Sequence, residues 1–422
     1  MSNRKDQKLI SYDDCLRIFQ EISHLFPYTG DEEVPLASAV DRVLAQDVVA
    51  RENNPPFDNS AMDGFALNLT WIRQRSLSLD DWLLVQGVIC AGDGAPSNVS
   101  DKGVIEIMTG APIPSPDFDS VIRIESVETK SDADGQKWIR LKSVPLLGDN
   151  IRRIGEDMRR DDLLLRQDQK ITREHLLVLA SQGVSIVRVK KRIKIAILST
   201  GKEIVSPSVS DLKFGQIRNS TGLYLEAALA GASYDVQNYG IIGDDPAVYR
   251  ERIEQALSDG VDLVMSTGAV SMGVRDFVCQ VLEGMGARIH FHKCAIRPGK
   301  PLLFSSIQFK DRMRFIFGIP GNPISTLVGF RFFIQPFLDL LLTGSTEKPI
   351  RAVLSSDLKK PEGLRCFLKA RLDSEGAETV VAPVSGQGSF MVGPMIRANG
   401  WIVLPEPSTF IRKGSLVEVF NL

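Results

Sequence analysis

Four short segments combine glycine with hydroxyl or carboxylate side chains: STGKE (199–203), GDDP (243–246), STGAVSMGVRD (266–276) and GIPGNPIST (318–326). Glycine lets a backbone approach a ligand closely, and unpaired N–H groups where a helix begins favour anions, so the pattern points to a phosphate site. Glu203, Asp244, Asp245 and Asp276 would crowd negative charge onto that site, which is costly unless a cation sits among them. Mg²⁺ suits such a place, because it takes few carboxylates and completes its shell with water and substrate phosphates. Each acid alone also reads as a helix N-cap or a solvated turn, Asp244 and Asp245 before Pro246 above all. The segment HKCAIRPGKP (292–301) gathers Lys293, Arg297 and Lys300 around a Pro-Gly turn. Such a cluster can neutralise an oxyanion or a pyrophosphate, and its plain alternative is a solvated basic hairpin. His290 and His292 share a face at period 2, but with no third ligand in view they read as a structural or exposed pair. TGKE is not a P-loop, since Ala196 stands where the first glycine of G-x-x-x-x-G-K belongs, and no G-x-S-x-G occurs.

The elements that would position these loops can be read around them. In an open α/β sheet, ligands bind beyond the carboxyl ends of the strands. Each glycine loop follows a strand candidate: IKIAILS (193–199), SYDVQNYGII (233–242), VDLVMS (261–266) and RFIFGI (314–319), with helices near 221–231, 246–258, 276–286 and 323–342. This alternation predicts a doubly wound α/β domain over 191–343. After Thr343 the β pattern returns in RAVLSSDL, CFLKARL, TVVAPV, GWIVLP and SLVEVF, predicting a C-terminal β-barrel domain over 344–422. Residues 11–26 have apolar side chains at helical spacing behind a Ser11 N-cap, and a second helix is expected near 172–182. Short β-rich runs between turn clusters predict a β-rich domain over 51–145, inserted into a discontinuous N-terminal module of 1–50 plus 146–190.

Composition narrows the classes of function. The 422 residues carry 50 Lys+Arg against 52 Asp+Glu, a net charge of −2, and 43% are hydrophobic. Such a chain folds and offers no general field for a nucleic acid. Its five cysteines are scattered without a C-x-x-C pair and read as reduced thiols of a cytoplasmic protein. Met1 to Gln20 is charged and lacks the pattern of a secretory signal. The apolar segment Ile324 to Leu342 contains Arg331, Gln335, Pro336 and Asp339, so it predicts a buried helix and no membrane span.

Ten motifs run in order along the chain: NNPPFDNSAMDGFA (53–66), AGD (91–93), IMTGAPIP (107–114), NIRRIGED (150–157), ILSTGKEI (197–204), GQIRNST (215–221), IIGDDP (241–246), STGAVSMGVRD (266–276), KCAIRPGKP (293–301) and IPGNPIST (319–326). Through them the sequence resembles the molybdopterin molybdenumtransferase family, the MoeA proteins and the E domain of gephyrin, with a central MogA-like molybdopterin-binding domain. The resemblance implies an enzyme that takes adenylylated molybdopterin and molybdate and releases AMP and the molybdenum cofactor, using Mg²⁺. It also implies a homodimer, with transient contacts to the upstream adenylyltransferase and to recipient molybdoenzymes. Under this resemblance, Glu203, Asp244 or Asp245, and Asp276 handle Mg²⁺ and pyrophosphate, with Glu203, Asp244 and Asp276 as the metal set. Lys293, Arg297 and Lys300 hold the pterin phosphate or incoming molybdate, next to Pro298 and Gly299. Ser199, Thr200, Gly201, Thr267, Gly268, Ser271 and Gly273 line the substrate loops, and Pro320, Gly321, Asn322 and Pro323 shape the phosphate loop. The family places Asp63 and Thr109 at the site from a different domain, across a dimer interface, although Asp63 before Gly64 taken alone is a turn signal. Ser389, in GQGSF, and Arg365 are further candidates from the C-terminal module. Lys202 stands where the family usually has aspartate, Ala269 where it has a second glycine and Arg297 where lysine is common. These departures leave a divergent carrier or scaffold as the alternative to the transferase. The likeness of the central domain to MogA leaves an adenylyltransferase as another.

Overall fold

The structure is a computed structural model that describes residues 9–26, 30–94, 100, 102–268, 277–375 and 378–422. It comprises two compact units, one of Met1–Ala45, Asp168–Thr172 and Ile186–Leu422, the other of Gln46–Gln167 and Arg173–Ser185.

The larger unit is built on a six-stranded sheet in the order Tyr234–Ile242, Ile193–Thr200, Leu263–Thr267, Arg312–Ile319, Leu303–Phe309, Arg288–His292. The first four strands are parallel and the last two antiparallel. The three inner parallel strands are largely apolar because both faces are covered, whereas the edge strand Tyr234–Ile242 is mostly exposed. Ile195, Ile197, Met265, Phe315 and Phe317 pack on one side, while Ala196, Leu198, Val264 and Ile316 pack on the other. All four parallel strands coincide with the runs read from the sequence. The antiparallel pair was not read there, because Arg288–His292 and Leu303–Phe309 flank the basic segment and the whole stretch looked like one hairpin.

Helix Tyr12–Ser23 begins where the Ser11 hydroxyl accepts the Asp14 N–H at 3.1 Å, and it sinks Phe19 into an aromatic cluster with Phe304 (5.0 Å) and Phe337 (5.1 Å). The apolar segment Pro323–Thr343 is helical, with its α-helical register broken by a π turn at Phe330–Ile334, and the apolar stretch within it is 67% buried. It is long and apolar enough to cross a membrane, yet it packs Phe332, Phe333 and Phe337 into the core, as the sequence predicted.

Five C-terminal strands close on themselves: Arg365–Glu375 pairs with Glu378–Pro383, then follow Ile350–Leu354, Leu416–Asn421 and Gly400–Leu404, which returns to Arg365–Glu375. This is the expected barrel, and closure removes the sheet edges. The short strand Ile296–Arg297 adds to it in parallel at Arg365–Cys366.

The smaller unit holds another six-stranded sheet, ordered Ser120–Arg123, Gly64–Leu67, Val104–Ile107, Leu83–Ile89, Lys137–Leu141, Val127–Ser131. Phe65, Leu67, Val104, Ile122 and Ile139 form its core. Segments read as one discontinuous N-terminal module divide between the units. Asp31–Pro35 pairs with Ile186–Lys190 in the larger, and Val48–Val49 with Leu163–Leu165 in the smaller.

Candidate functional site

The register of the central sheet brings the glycine loops to one end. Ser199 stands opposite Thr267, Thr267 opposite Ile319, and Thr200 opposite Ile242. Gly318 stands opposite Leu303, whose other neighbour is His292. Because the last two strands run antiparallel, the basic segment between them leaves the sheet at the carboxyl end of the parallel strands. Lys293, Arg297 and Lys300 therefore share a rim with the loops that follow Thr200, Ile242, Thr267 and Ile319.

Glycine is required where these loops meet. Gly268 has φ +87°, and a Cβ there would stand 2.1 Å from the Thr200 carbonyl oxygen. A Cβ on Gly321 would lie 3.5 Å from the Gly268 Cα, so these two loops touch backbone to backbone. A Cβ on Gly201 would be 2.8 Å from the Glu203 carboxylate, which folds back over it. The Thr200 and Thr267 hydroxyls are buried and have no hydrogen-bond partner among the described residues. Buried polar groups are normally satisfied, so two orphaned hydroxyls at neighbouring strand ends call for a ligand or ordered water.

The acids divide. Asp245 caps helix Pro246–Ser258, accepting from the N–H groups of Ala247 (2.8 Å) and Val248 (3.3 Å), which is the plain reading of that residue. Asp244 is half-buried. Glu203 is exposed; its carbonyl accepts the Ile217 N–H at 2.9 Å, while its carboxylate makes no hydrogen bond or ion pair among the described residues. Asp276, Ser271 and Gly273 lie outside the described residues, as does Ala269. Among the described residues no three His, Cys, Asp or Glu side chains form a metal cluster.

Ser199 is committed to structure. It accepts from the Asn219 amide at 2.9 Å, while the Asn219 carbonyl oxygen accepts the Gly222 N–H and caps helix Ser220–Ala228. Asn219 was missed in the sequence, although RNST before an apolar helix is an N-cap signal. Lys293 is held at φ 80°, its carbonyl accepting from Ile10 N–H at 3.3 Å and its N–H donating to Leu302 at 3.0 Å. Arg297 and Lys300 are exposed, and none of the three cations forms an ion pair among the described residues. Gly299, with φ +102°, follows Pro298 and brings this turn against helix Pro323–Gly329 near the Ser325 carbonyl.

At the start of that helix the Pro320 carbonyl accepts from the Thr326 hydroxyl at 2.8 Å, and Asn322 makes no side-chain cap. The Ile324 N–H donates to the Ser389 carbonyl at 3.0 Å, so Ser389 meets the start of this helix through its backbone. Its segment is held by Lys369, a fully buried lysine whose Nζ donates to the carbonyls of Met391 (2.9 Å) and Gly388 (3.4 Å). The signal for it was a lysine inside the apolar strand CFLKARL. Arg365 has a structural use: its guanidinium grips Asp13 at 2.8 and 3.0 Å and Glu406 at 3.0 Å, and lies 4.6 Å from the centre of the Tyr12 ring. His290 accepts or donates at 2.7 Å to Ser306, and burial pushes its pKa down to about 4. The His292 Nδ1 lies 3.4 Å from the Cys279 sulfur.

In the smaller unit, Asp63 and Thr109 meet. The Asp63 carboxylate accepts the Thr109 N–H at 2.7 Å and its hydroxyl at 2.8 Å, and these bonds hold its pKa below the usual carboxylate range. A Cβ on Gly64 would stand 2.0 Å from the Ile122 carbonyl oxygen, which explains glycine after Asp63 better than a turn does.

Glycine loops in backbone contact, a cationic turn and an exposed acid thus gather at the carboxyl ends of the parallel strands of an α/β protein, the end at which open α/β sheets take their ligands. Three family models match in succession: the MoeA N-terminal region (domain I and II) over residues 10–183, the probable molybdopterin binding domain over 196–340 and the MoeA C-terminal region (domain IV) over 351–422. The chain belongs to the MoeA family of molybdopterin molybdenumtransferases. It is 38% identical over 392 residues to the molybdopterin molybdenumtransferase of Synechococcus elongatus, covering 93% of this chain and 94% of that one. With the Haemophilus influenzae molybdopterin molybdenumtransferase it shares 34% over 403 residues, 94% and 95% of the two chains. The crystal structure of the molybdopterin biosynthesis MoeA protein from Pyrococcus horikoshii superimposes with a TM-score of 0.79 at 26% identity, covering 98% of this chain and 100% of that chain.

Proposed function

We propose that this chain is a molybdenum-inserting transferase of molybdenum cofactor biosynthesis, which takes adenylylated molybdopterin and molybdate and releases AMP. The observation that carries the reading is the backbone packing of Gly268 against Thr200 and Gly321, which brings two loop ends together next to two buried hydroxyls that have no partner among the described residues. Breaking that anhydride needs positioning and charge neutralisation more than covalent help. In this reading, the backbone N–H groups of Lys202, Glu203, Gly321 and Asn322 orient the two phosphates, and Lys293, Arg297 and Lys300 neutralise the charge that develops as AMP leaves. The Ser389 segment, held by Lys369, keeps the helix start in place.

Mg²⁺ belongs to the same proposal. Glu203, an exposed carboxylate beside Gly201 with no partner among the described residues, is a donor that fits a hydrated hard cation, and Asp276 with Asp244 would complete the protein's share. When bound, the ion would neutralise phosphate oxygens. Asp63 and Thr109 act in the same reaction from a second copy of the chain, in a cytoplasmic homodimer that meets the upstream adenylyltransferase and recipient molybdoenzymes transiently. The purified chain, given adenylylated molybdopterin, molybdate and Mg²⁺, is expected to release AMP and to reconstitute a molybdenum-free apoenzyme. Equal AMP release by Asp276→Asn and wild type would overturn the site assignment. Mixing inactive Asp63→Asn with inactive Glu203→Gln tests the dimer: shared sites regain part of the activity, and separate sites regain none.

A further inference from the structure

The opposite end of the central sheet holds a second charged cleft, of about 570 Å³, which the proposed reaction does not use. Six basic side chains line it: Arg42, Lys191, Arg192, Lys194, Arg312 and Arg314. Three carboxylates oppose them, those of Glu32, Asp235 and Asp262. The volume falls in the range of small-ligand sites, and the excess of positive charge selects an anion.

Two of the cations are built in rather than solvated. Arg42 is 2% exposed and Arg314 is 7% exposed. Arg42 donates to Glu32 at 2.5 Å and to the Lys190 carbonyl at 2.6 Å. Arg314 is hydrogen-bonded to Asp262, whose other oxygen accepts the Lys194 N–H at 3.0 Å. Yet the Nε of each arginine is buried without a partner among the described residues. Both guanidinium groups are thus fixed in the floor of the cleft, each against one carboxylate, so the positive charge left over lies with the cations at its mouth. At the mouth, Arg192, Lys194 and Arg312 are exposed and have no ion-pair partner among the described residues. A planar guanidinium fork suits the oxygens of a tetrahedral oxyanion.

We infer that this cleft is a binding site for a tetrahedral oxyanion, either free or as the phosphoryl group of a small phosphomonoester, separate from the rim at the other end of the sheet. The full chain is tested by equilibrium dialysis with labelled inorganic phosphate, comparing wild type with Arg192→Ala/Arg312→Ala, a pair of exposed substitutions that leaves the buried arginines in place. The double variant is expected to lose one class of phosphate site, or to weaken it by about tenfold or more, with AMP release unchanged. In parallel, Lys293→Ala/Lys300→Ala should leave that class intact, which separates this site from the rim whatever the fate of the proposed reaction. Competition by molybdate would support a free oxyanion, and competition by AMP alone a phosphomonoester. Unchanged binding in Arg192→Ala/Arg312→Ala, or loss of all saturable binding in Lys293→Ala/Lys300→Ala, would overturn the inference.

Discussion

The two ends of the central sheet carry similar residue types and put them to different uses. At the amino end, buried charge is paired: Asp262 takes Arg314 and the Lys194 N–H, and Glu32 takes Arg42. At the carboxyl end, among the described residues, the Glu203 carboxylate has no partner and the Thr200 and Thr267 hydroxyls are orphaned, and glycines keep side chains out of the contact between loops. Pairing at the amino end supports the fold, because a lone buried charge would cost more than the pair returns. Incomplete pairing at the carboxyl end fits a site whose missing partners arrive with substrate. Both ends thus combine structural pairs with groups left over: at the amino end the exposed cations Arg192, Lys194 and Arg312 beside the paired Arg42 and Arg314, at the carboxyl end an acid and two hydroxyls beside close-packed glycines.

The contrast is sharpest at Arg314. Replacing it by Met strands the buried Asp262 carboxylate and is expected to cost about 3–5 kcal/mol of stability, read as a lower urea midpoint, while Arg314→Met/Asp262→Leu recovers most of the loss. A single variant as stable as wild type would break the comparison. At the other end, Glu203→Gln should lower the rate of AMP release by about 10²-fold with the melting temperature nearly unchanged. A large drop in stability there would make Glu203 a structural residue. Asp245→Ala tests the division among the rim acids: loss of the cap should cost about 1 kcal/mol and leave AMP release at the wild-type level.

The smallest effect is expected at Asp63. Its carboxyl is held below the ordinary range first by the Thr109 N–H and then by the Thr109 hydroxyl. With the folded pKa depressed, this contact's contribution is present above the unfolded pKa of about 3.9 and is lost as pH falls through the folded value. Thr109→Ala removes the hydroxyl and keeps the N–H, so the Asp63 midpoint, followed by NMR, should move part of the way up toward the ordinary value. A midpoint that stays put would show that the backbone bond alone sets it.

Much of this architecture was legible in the chain. Strands 193–200 and 312–319 announce themselves through the apolar stretches 195–198 and 315–319, because both faces are covered there, and Ser11 marks a helix start through chemistry local to four residues. Strands Arg288–His292 and Leu303–Phe309 were not legible, since histidines, serines and a basic segment interrupt their pattern and their pairing lies across the sheet. Site residues divide the same way. Gly268 and Glu203 stood out by type and spacing. Asp245, Ser199 and Arg365 have the right type for a site, yet the structure gives their side chains a cap, a helix anchor and a clamp on Asp13.

The sequence by itself determined the local features: the glycine loops, the helix starts, the buried apolar helix 323–343 and the order of motifs that marks the family. These depend on periodicity and on backbone chemistry within a few residues. Tertiary structure decided which polar groups are already paired. Lys369 is a carrier of the Ser389 loop, and Lys293 joins the rim, only because an antiparallel edge strand and a closed barrel bring distant backbone carbonyls and loops to them. A side chain's availability for chemistry depends on what stands within about 3 Å of it, and those neighbours come from strands far apart in the chain.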